Sequence, residues 1–190
     1  MSVYLIRHGL TNGNLEGRYI GCRTDEPLCE QGIRLLGALH LPNIGSVYVS
    51  PMRRCIQSAR ILFPDAEPVI VQDFRECDFG DFEGKNYLEL NGDPVYQAWI
   101  DSGGELPFPN GESRKEFASR SVSAFRSLRV FDSGHDCAVV AHGGTIMAIM
   151  EKYAKPKGSY FDFQVKCGGG FALEPDGRYV YREFFALKTV

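Results

Sequence analysis

Val3-Tyr4-Leu5-Ile6-Arg7-His8-Gly9 is the stretch that decides how this chain is read. Four apolar, β-prone residues read as a short buried strand. The run stops on an arginine, a histidine and a glycine. The same form recurs further along. Residues 46–49 are strand-like and run into Ser50-Pro51 and the pair Arg53-Arg54. Residues 69–71 are strand-like, with Glu76 shortly after, and residues 138–141 run into His142-Gly143-Gly144.

Helical patterns lie between these strands. Residues 28–41 carry Leu28, Leu35, Leu36 and Leu39 on or near one face. Ser50-Pro51 reads as a helix start, serine at the cap and proline at the first position, before the stripe Met52, Cys55, Ile56, Ala59 and Leu62. Pro64 ends that helix. Residues 73–84 form a loop rich in acids, glycine and phenylalanine. Residues 85–100 read as two helical pieces broken at 91–94, and 103–111 as a loop. Ser113 with Glu116 three residues on is a capping box, followed by Phe117, Ser121, Ala124, Phe125 and Leu128 at helical spacing. A helix over 144–153 follows the last of these strands. Residues 169–173 and 179–185 flank a turn at 175–177.

Strands alternating with helices predict an α/β fold: a three-layer α/β/α sandwich with a mostly parallel central sheet and an antiparallel C-terminal edge hairpin. The 190 residues suffice for a single domain over 1–190.

In such sheets ligands bind beyond the carboxyl ends of the strands. Arg7, His8, one of Arg53 and Arg54, Glu76 and His142 therefore converge on one edge. The residue types suit phosphoryl transfer. Arginine offers a permanently charged planar fork to phosphate oxygens. A neutral imidazole is a nucleophile able to hold a phosphoryl group. A second histidine, if protonated, adds charge where the transition state spreads it. Backbone N–H groups at Gly143 take further oxygens, and a carboxylate can donate and later accept a proton. Taken singly, each residue also has a plain reading: His8 as structural, Arg7 and Arg54 as solvated charges, Glu76 as part of an acidic loop. Their coincidence at strand ends favours the chemical one.

Leu5 to Gly9 with Thr11 and Asn14 resembles the Arg-His-Gly signature of the histidine phosphatase superfamily, the phosphoglycerate mutase-like proteins. The resemblance continues through Gly21, Thr24, Asp25, Pro27, Leu28 and Gly32, then Ser50, Pro51, Met52, Arg54, Ser58 and Ala59. It resumes at Glu76 to Gly84, at Gly111-Glu112-Ser113 and at Val140 to Gly144, spanning roughly residues 3–150. It implies that His8 is the phosphorylated nucleophile, that Arg7, Arg54 and His142 hold the phosphate, and that Glu76 is the proton donor. It places Thr11 and Asn14 on the phosphate or substrate side, and it implies neither metal nor organic cofactor. Leu10 departs from the glutamate common in the signature, Ser58 from a threonine and Met52 from a leucine; none of these removes a catalytic group.

The stretch 73–100 has only Arg75 and Lys85 as cations. Mutases of the family carry more basic residues there, to grip a substrate carboxylate. The chain thus resembles a phosphatase, most closely the α-ribazole phosphatase branch. A mutase-type transfer and a catalytically idle phosphate-binding regulatory module are the alternatives. A metal hydrolase is a weaker one, since His40 and His135 lack ligand spacing. Residues 73–111 are expected to cap the substrate. Tyr87, Tyr96, Trp99 and Phe108 could stack on a ring there, although packing within the roof is the favoured reading.

The remaining features set the setting. A net charge of −3 argues against nucleic acid as a partner and leaves a small phosphorylated metabolite. No apolar run approaches a membrane span or a signal core. Cys22, Cys29, Cys55, Cys77, Cys137 and Cys167 fit no zinc pattern and point to a reducing cytoplasm. A monomer or a homodimer is expected, the terminal hairpin edge being where a second copy would pair.

Overall fold

The computed structural model describes residues 1–182 except His40 and Asn43. The sheet is the mostly parallel one that the strand–helix alternation predicts. β1 (Val3–Arg7), β2 (Ser46–Val49), β3 (Val69–Ile70), β4 (Cys137–Ala141), β5 (Gly170–Leu173) and β6 (Tyr179–Arg182) form one sheet in the order β3-β2-β4-β1-β5-β6. The first four strands in that order run parallel, and β5 and β6 are antiparallel to their neighbours. The expected extension of the last strand over 183–185 lies outside the described residues.

The alternation of side chains across the strands divides the core into two layers. Val3, Leu5, Cys137, Val139 and Ala141 face one way. They pack with Phe125 of α6 (Arg114–Ser127) and with Ile146, Ile149 and Met150 of α7 (Gly143–Tyr153). Ile6, Val47, Val49, Ala138 and Val140 face the other way, onto Cys55 and Ala59 of α3 (Arg53–Leu62). On that side α3 also packs against α2 (Glu30–Gly37). Helices thus cover both faces. Every residue of β4 is buried, which explains why it reads as an unbroken apolar run.

Three local expectations change. α2 starts at Glu30 rather than 28 and stops at Gly37 rather than 41. Cys29 is extended and caps it, and the N–H of Leu28 donates to Gln57 Oε1 at 2.8 Å. Leu28 is an apolar anchor ahead of the helix, which its spacing alone imitates. Ser50 does not cap α3. That helix begins at Arg53 after Met52, and its first N–H is taken by Asp25 Oδ1 at 2.7 Å, from 28 residues away. Residues 9–27, a polar, glycine-rich stretch read without regular structure, hold a helical turn, α1 (Asn12–Leu15), closed by reciprocal bonds between Thr11 and Asn14. The two pieces expected over 85–100 are α4 (Tyr87–Leu90) and α5 (Pro94–Asp101), the second capped by Asp93.

Gly170 sits where β5 crosses β1. A Cβ there would fall against the backbone carbonyl of Leu5, far inside van der Waals contact. Backbone on backbone cannot give way. Gly170→Ala is therefore expected to lower stability by about 2 kcal/mol or more, by splaying β5 from β1. Thermal unfolding would show it as a lowered Tm; an unchanged Tm would mean that the strands separate freely.

Candidate active site

Parallel pairing carries the strand ends into one place. Arg7 is the register partner of Ala141, so His8 and His142 leave the sheet side by side. Their rings lie 5.2 Å apart, edge to face. On the other flank of β4, the N–H of Ser50 bonds the Val140 carbonyl at 3.0 Å, which puts Ser50 and then α3 beside His142. Glu76 reaches the same point from the loop after β3, its Oε2 3.7 Å from His142 Nδ1. His8, Arg54, Glu76 and His142 are all buried.

The hydrogen bonds set the tautomers. His8 Nδ1 lies 2.7 Å from the Gly9 carbonyl oxygen. A carbonyl can only accept, so Nδ1 carries the hydrogen and Nε2 keeps its lone pair. His142 has the opposite arrangement. Arg54 Nη2, which can only donate, lies 3.4 Å from its Nδ1, so Nε2 carries the hydrogen and donates to Ser50 Oγ at 2.8 Å. The serine expected at a helix cap serves this histidine instead. A local sequence pattern could not show that, because the two residues are 92 positions apart.

Burial pushes the pKa of His8 well below the usual histidine value, with Arg54 and then Arg7 adding to it. His142 is lowered in the same way, first by burial and then by Arg54. Both rings thus favour the neutral form near neutral pH. Burial pushes Glu76 the other way, upward, against the Cys77 N–H and the charges of Arg54, Arg7 and Arg120.

The structure decides between the adjacent arginines. Arg54 is 0% exposed and donates to the carbonyls of Thr24, Ile20 and Gly21. Arg53 is exposed. Arg7 is held by the Val165 carbonyl at 2.8 Å. The Nε groups of Arg7 and Arg54 are both buried without a hydrogen-bond partner. Leaving a buried donor unmet costs about 1–3 kcal/mol each, a cost an oxyanion would remove. α7 starts at Gly143 directly after His142, with no side chain capping its first turn. A Cβ on Gly143 would lie 3.6 Å from the Arg7 guanidinium, so that helix start and that cation are adjacent. Two fixed cations, a helix N-terminus and a nucleophilic imidazole form a setting for a tetrahedral dianion.

Thr11 and Asn14 are close by but already engaged. Thr11 is buried, its hydroxyl accepting from the Asn14 N–H, and Asn14 Oδ1 accepts from the Thr11 N–H and from Cys167 Sγ. Ser58 Oγ links two parts of the site, accepting from the Gly9 N–H at 3.0 Å and donating to the Arg54 carbonyl at 2.6 Å. His135 lies at the opposite, amino-terminal edge of the sheet, bonded to Ser46. His40 is outside the described residues. Among the described residues no group of three or more His, Cys, Asp and Glu side chains converges as a metal site.

A cavity of about 220 Å³ opens beside Glu76 and Gly144. Its walls are mainly apolar, including Tyr19, Trp99, Phe108, Met147 and Phe161. The four aromatics singled out by the sequence part company here. Trp99 and Phe108 line the cavity, while Tyr96 stacks on Trp99 away from it. Tyr87 is 63% exposed and is not part of the cavity wall.

The histidine phosphatase superfamily (branch 1) family model matches residues 3–178. The chain belongs to this family. It is 28% identical over 183 residues to the adenosylcobalamin/alpha-ribazole phosphatase of Escherichia coli (strain K12), covering 92% of this chain and 90% of that protein. It is 32% identical over 160 residues to the 2,3-bisphosphoglycerate-dependent phosphoglycerate mutase 2 of Gloeobacter violaceus, covering 77% and 72% of the two chains. The solved alpha-ribazole phosphatase of Shigella flexneri superposes with a TM-score of 0.81 at 24% identity, covering 96% of this chain and 95% of that one, which shows a shared fold. Family and relatives make this chain a phosphatase or other phosphoryl-transfer enzyme. Among the described residues no helix is long and apolar enough to cross a membrane.

Proposed function

We propose that the protein is a metal-independent phosphomonoesterase working through a phosphohistidine on His8. The observation that carries this reading is the His8 Nδ1 bond to the Gly9 carbonyl, beside two arginines with unmet buried Nε donors. It leaves a lone pair on Nε2 in a cationic pocket.

The ester binds as its dianion to Arg7, Arg54, His142 and the Gly143 N–H, with Thr11 and Asn14 at the pocket's side. His8 Nε2 attacks phosphorus; the N–P bond forms as the bond to the leaving oxygen breaks. Glu76, protonated, gives its proton to that oxygen. It then takes a proton from water, whose oxygen attacks the phosphohistidine, releasing phosphate and restoring neutral His8. The dianion favours a proton on His142, so that charge arrives with the substrate. Little covalent work falls to the protein beyond this, since positioning and charge dominate a loose phosphoryl transition state.

The chain acts as a single domain over 1–190, with 73–111 as the substrate-capping segment. The cavity under that segment supports a phosphatase with a mainly uncharged leaving group, such as α-ribazole 5′-phosphate. Among the described residues Arg114 is the one cation in its walls, and it is paired with Glu105. A phosphoglycerate carboxylate would find no unpaired cation among the described residues of that wall, although the likeness to a mutase keeps that transfer as the second reading. Six free thiols support a reducing compartment such as the cytoplasm.

Phosphate release from nitrophenyl phosphate, α-ribazole 5′-phosphate, 3-phosphoglycerate and several sugar phosphates, in EDTA, tests the reading. Turnover unchanged by EDTA and fastest on a ring-bearing ester is expected. Transfer between positions of phosphoglycerate without phosphate release would replace it with the mutase, and abolition by EDTA would overturn metal independence.

A further inference from the structure

We infer that Arg120 and Glu112 form a positioning pair that holds Glu76 in its acid–base place. The inference rests on the reading of Glu76 as the acid. Glu76 belongs to neither a strand nor a helix, since residues 75–79 form an irregular segment between two short 3₁₀ turns, Gln72–Phe74 and Gly80–Phe82. Such a segment has no ladder to hold it, yet general acid catalysis requires its carboxyl to stay within hydrogen-bond reach of the leaving oxygen.

Arg120 supplies what the sheet does not. From α6 its Nη1 donates to the carbonyls of Asp73 and Arg75, both at 2.8 Å, and its Nη2 donates to the carbonyl of Glu76 itself at 3.0 Å. The rest of the fork is spent on Glu112, Nε to Oε1 and Nη2 to Oε2, both at 2.7 Å. Glu112 Oε2 also accepts the N–H of Asp78 at 3.0 Å. One ion pair therefore grips the backbone on both sides of Glu76. Its members approach from different segments, the helix and the loop before it. The guanidinium also lies 4.8 Å from the centre of the Phe117 ring, which holds its stem against α6. Phe117 lines the cavity that Glu76 opens on, so the same helix sets both the acid and the leaving-group wall. The fork matters as much as the charge: a lysine can keep the cation but cannot reach three carbonyls and a carboxylate together.

Neither residue touches the phosphate pocket built from Arg7, Arg54, His8 and His142. Their loss should damage proton delivery and spare phosphate binding. The test compares Arg120→Lys, Glu112→Gln and Glu76→Gln on an alkyl phosphate and on nitrophenyl phosphate, with the Tm rise caused by inorganic phosphate as the control for the pocket. Arg120→Lys and Glu112→Gln are expected to lower kcat on the alkyl ester about tenfold or more, with a change of less than about threefold on nitrophenyl phosphate and an unaltered KM and phosphate-induced Tm rise. A purely structural role would instead lower both esters equally, or lower Tm while leaving kcat alone, and either result overturns the pair as a positioning device. If Arg120→Lys does not fold, Glu112→Gln decides alone, because its amide oxygen still accepts the Asp78 N–H. If Glu76→Gln itself fails to separate the two esters, the acid reading falls and the pair with it. If Glu76→Gln separates them and the pair variants do not, only the positioning inference falls.

Discussion

Replacing His8 with alanine is expected to lower turnover of every phosphomonoester by a factor on the order of 10⁴ to 10⁶. The size follows from the step that disappears. Without Nε2 no nitrogen–phosphorus bond forms, and the two arginines and His142 can only hold the ester for direct attack by water. Nothing nearby replaces the nucleophile: His142 presents its Nε2–H to Ser50, and burial raises the Cys55 thiol to about 12, which keeps it protonated. Rapid-quench labelling with a radioactive phosphomonoester would show acid-labile phosphohistidine in the parent and none in the variant. His8→Asn is the companion, because its amide N–H can still donate to the Gly9 carbonyl and preserve the loop. Turnover of either variant near the parent rate would remove His8 from the mechanism.

The second large effect concerns Glu76. Glu76→Gln should slow an alkyl phosphate by about 10² to 10⁴ and nitrophenyl phosphate by less than about tenfold, since nitrophenolate leaves without a proton. The pH dependence carries the same assignment. With ordinary values, a glutamic acid is protonated only below about 4.5 and a histidine neutral only above about 6.5, so no pH would favour both forms at once. Here burial moves them toward each other, His8 downward and Glu76 upward, which favours the neutral imidazole and the protonated carboxyl together. For Glu76 the sign is that its raised value keeps the acid form present above 4.5 and loses it as pH rises through that value. The activity therefore falls on the alkaline side. The groups facing it are Arg7, Arg54, Arg120 and His142. The substrate's own second ionisation shapes the acid limb, so the alkaline limb is the diagnostic one. It should vanish for the alkyl ester in Glu76→Gln, and its survival there would assign it to another group.

Much of this site was legible without coordinates because the signals are local. Apolar runs of strand length mark β1, β2 and β4, and the parallel-sheet rule places whatever follows them on one edge. His8 and His142 each stand one residue beyond a strand, so no long-range knowledge was needed to bring them together. Arg7 was equally readable. The capping box at Ser113 and the break before Pro94 are patterns within four residues, and both stand in the structure.

What the chain alone could not decide depends on contacts between distant segments. Arg53 and Arg54 are neighbours about 100° apart around a helix. The fold rule leaves the choice open and the resemblance points to Arg54; the approach of the Ile20–Thr24 carbonyls is what buries it. Ser50 has the composition of a cap, yet His142 claims its hydroxyl and Asp25 takes over the helix start. Leu28 keeps helical spacing but lies outside the helix, since periodicity does not distinguish an anchor from a first turn. Arg120 carries no sequence signal at all; three carbonyls and a carboxylate define its place, and those meet only after the loop has folded onto α6. The sequence by itself determined the main strands and which candidate residues follow them onto one edge, because these follow from short-range apolar patterning and residue type. Tertiary structure alone decided tautomers, burial and the direction of each pKa shift, because those depend on which polar atoms of remote segments come within about 3 Å of one another.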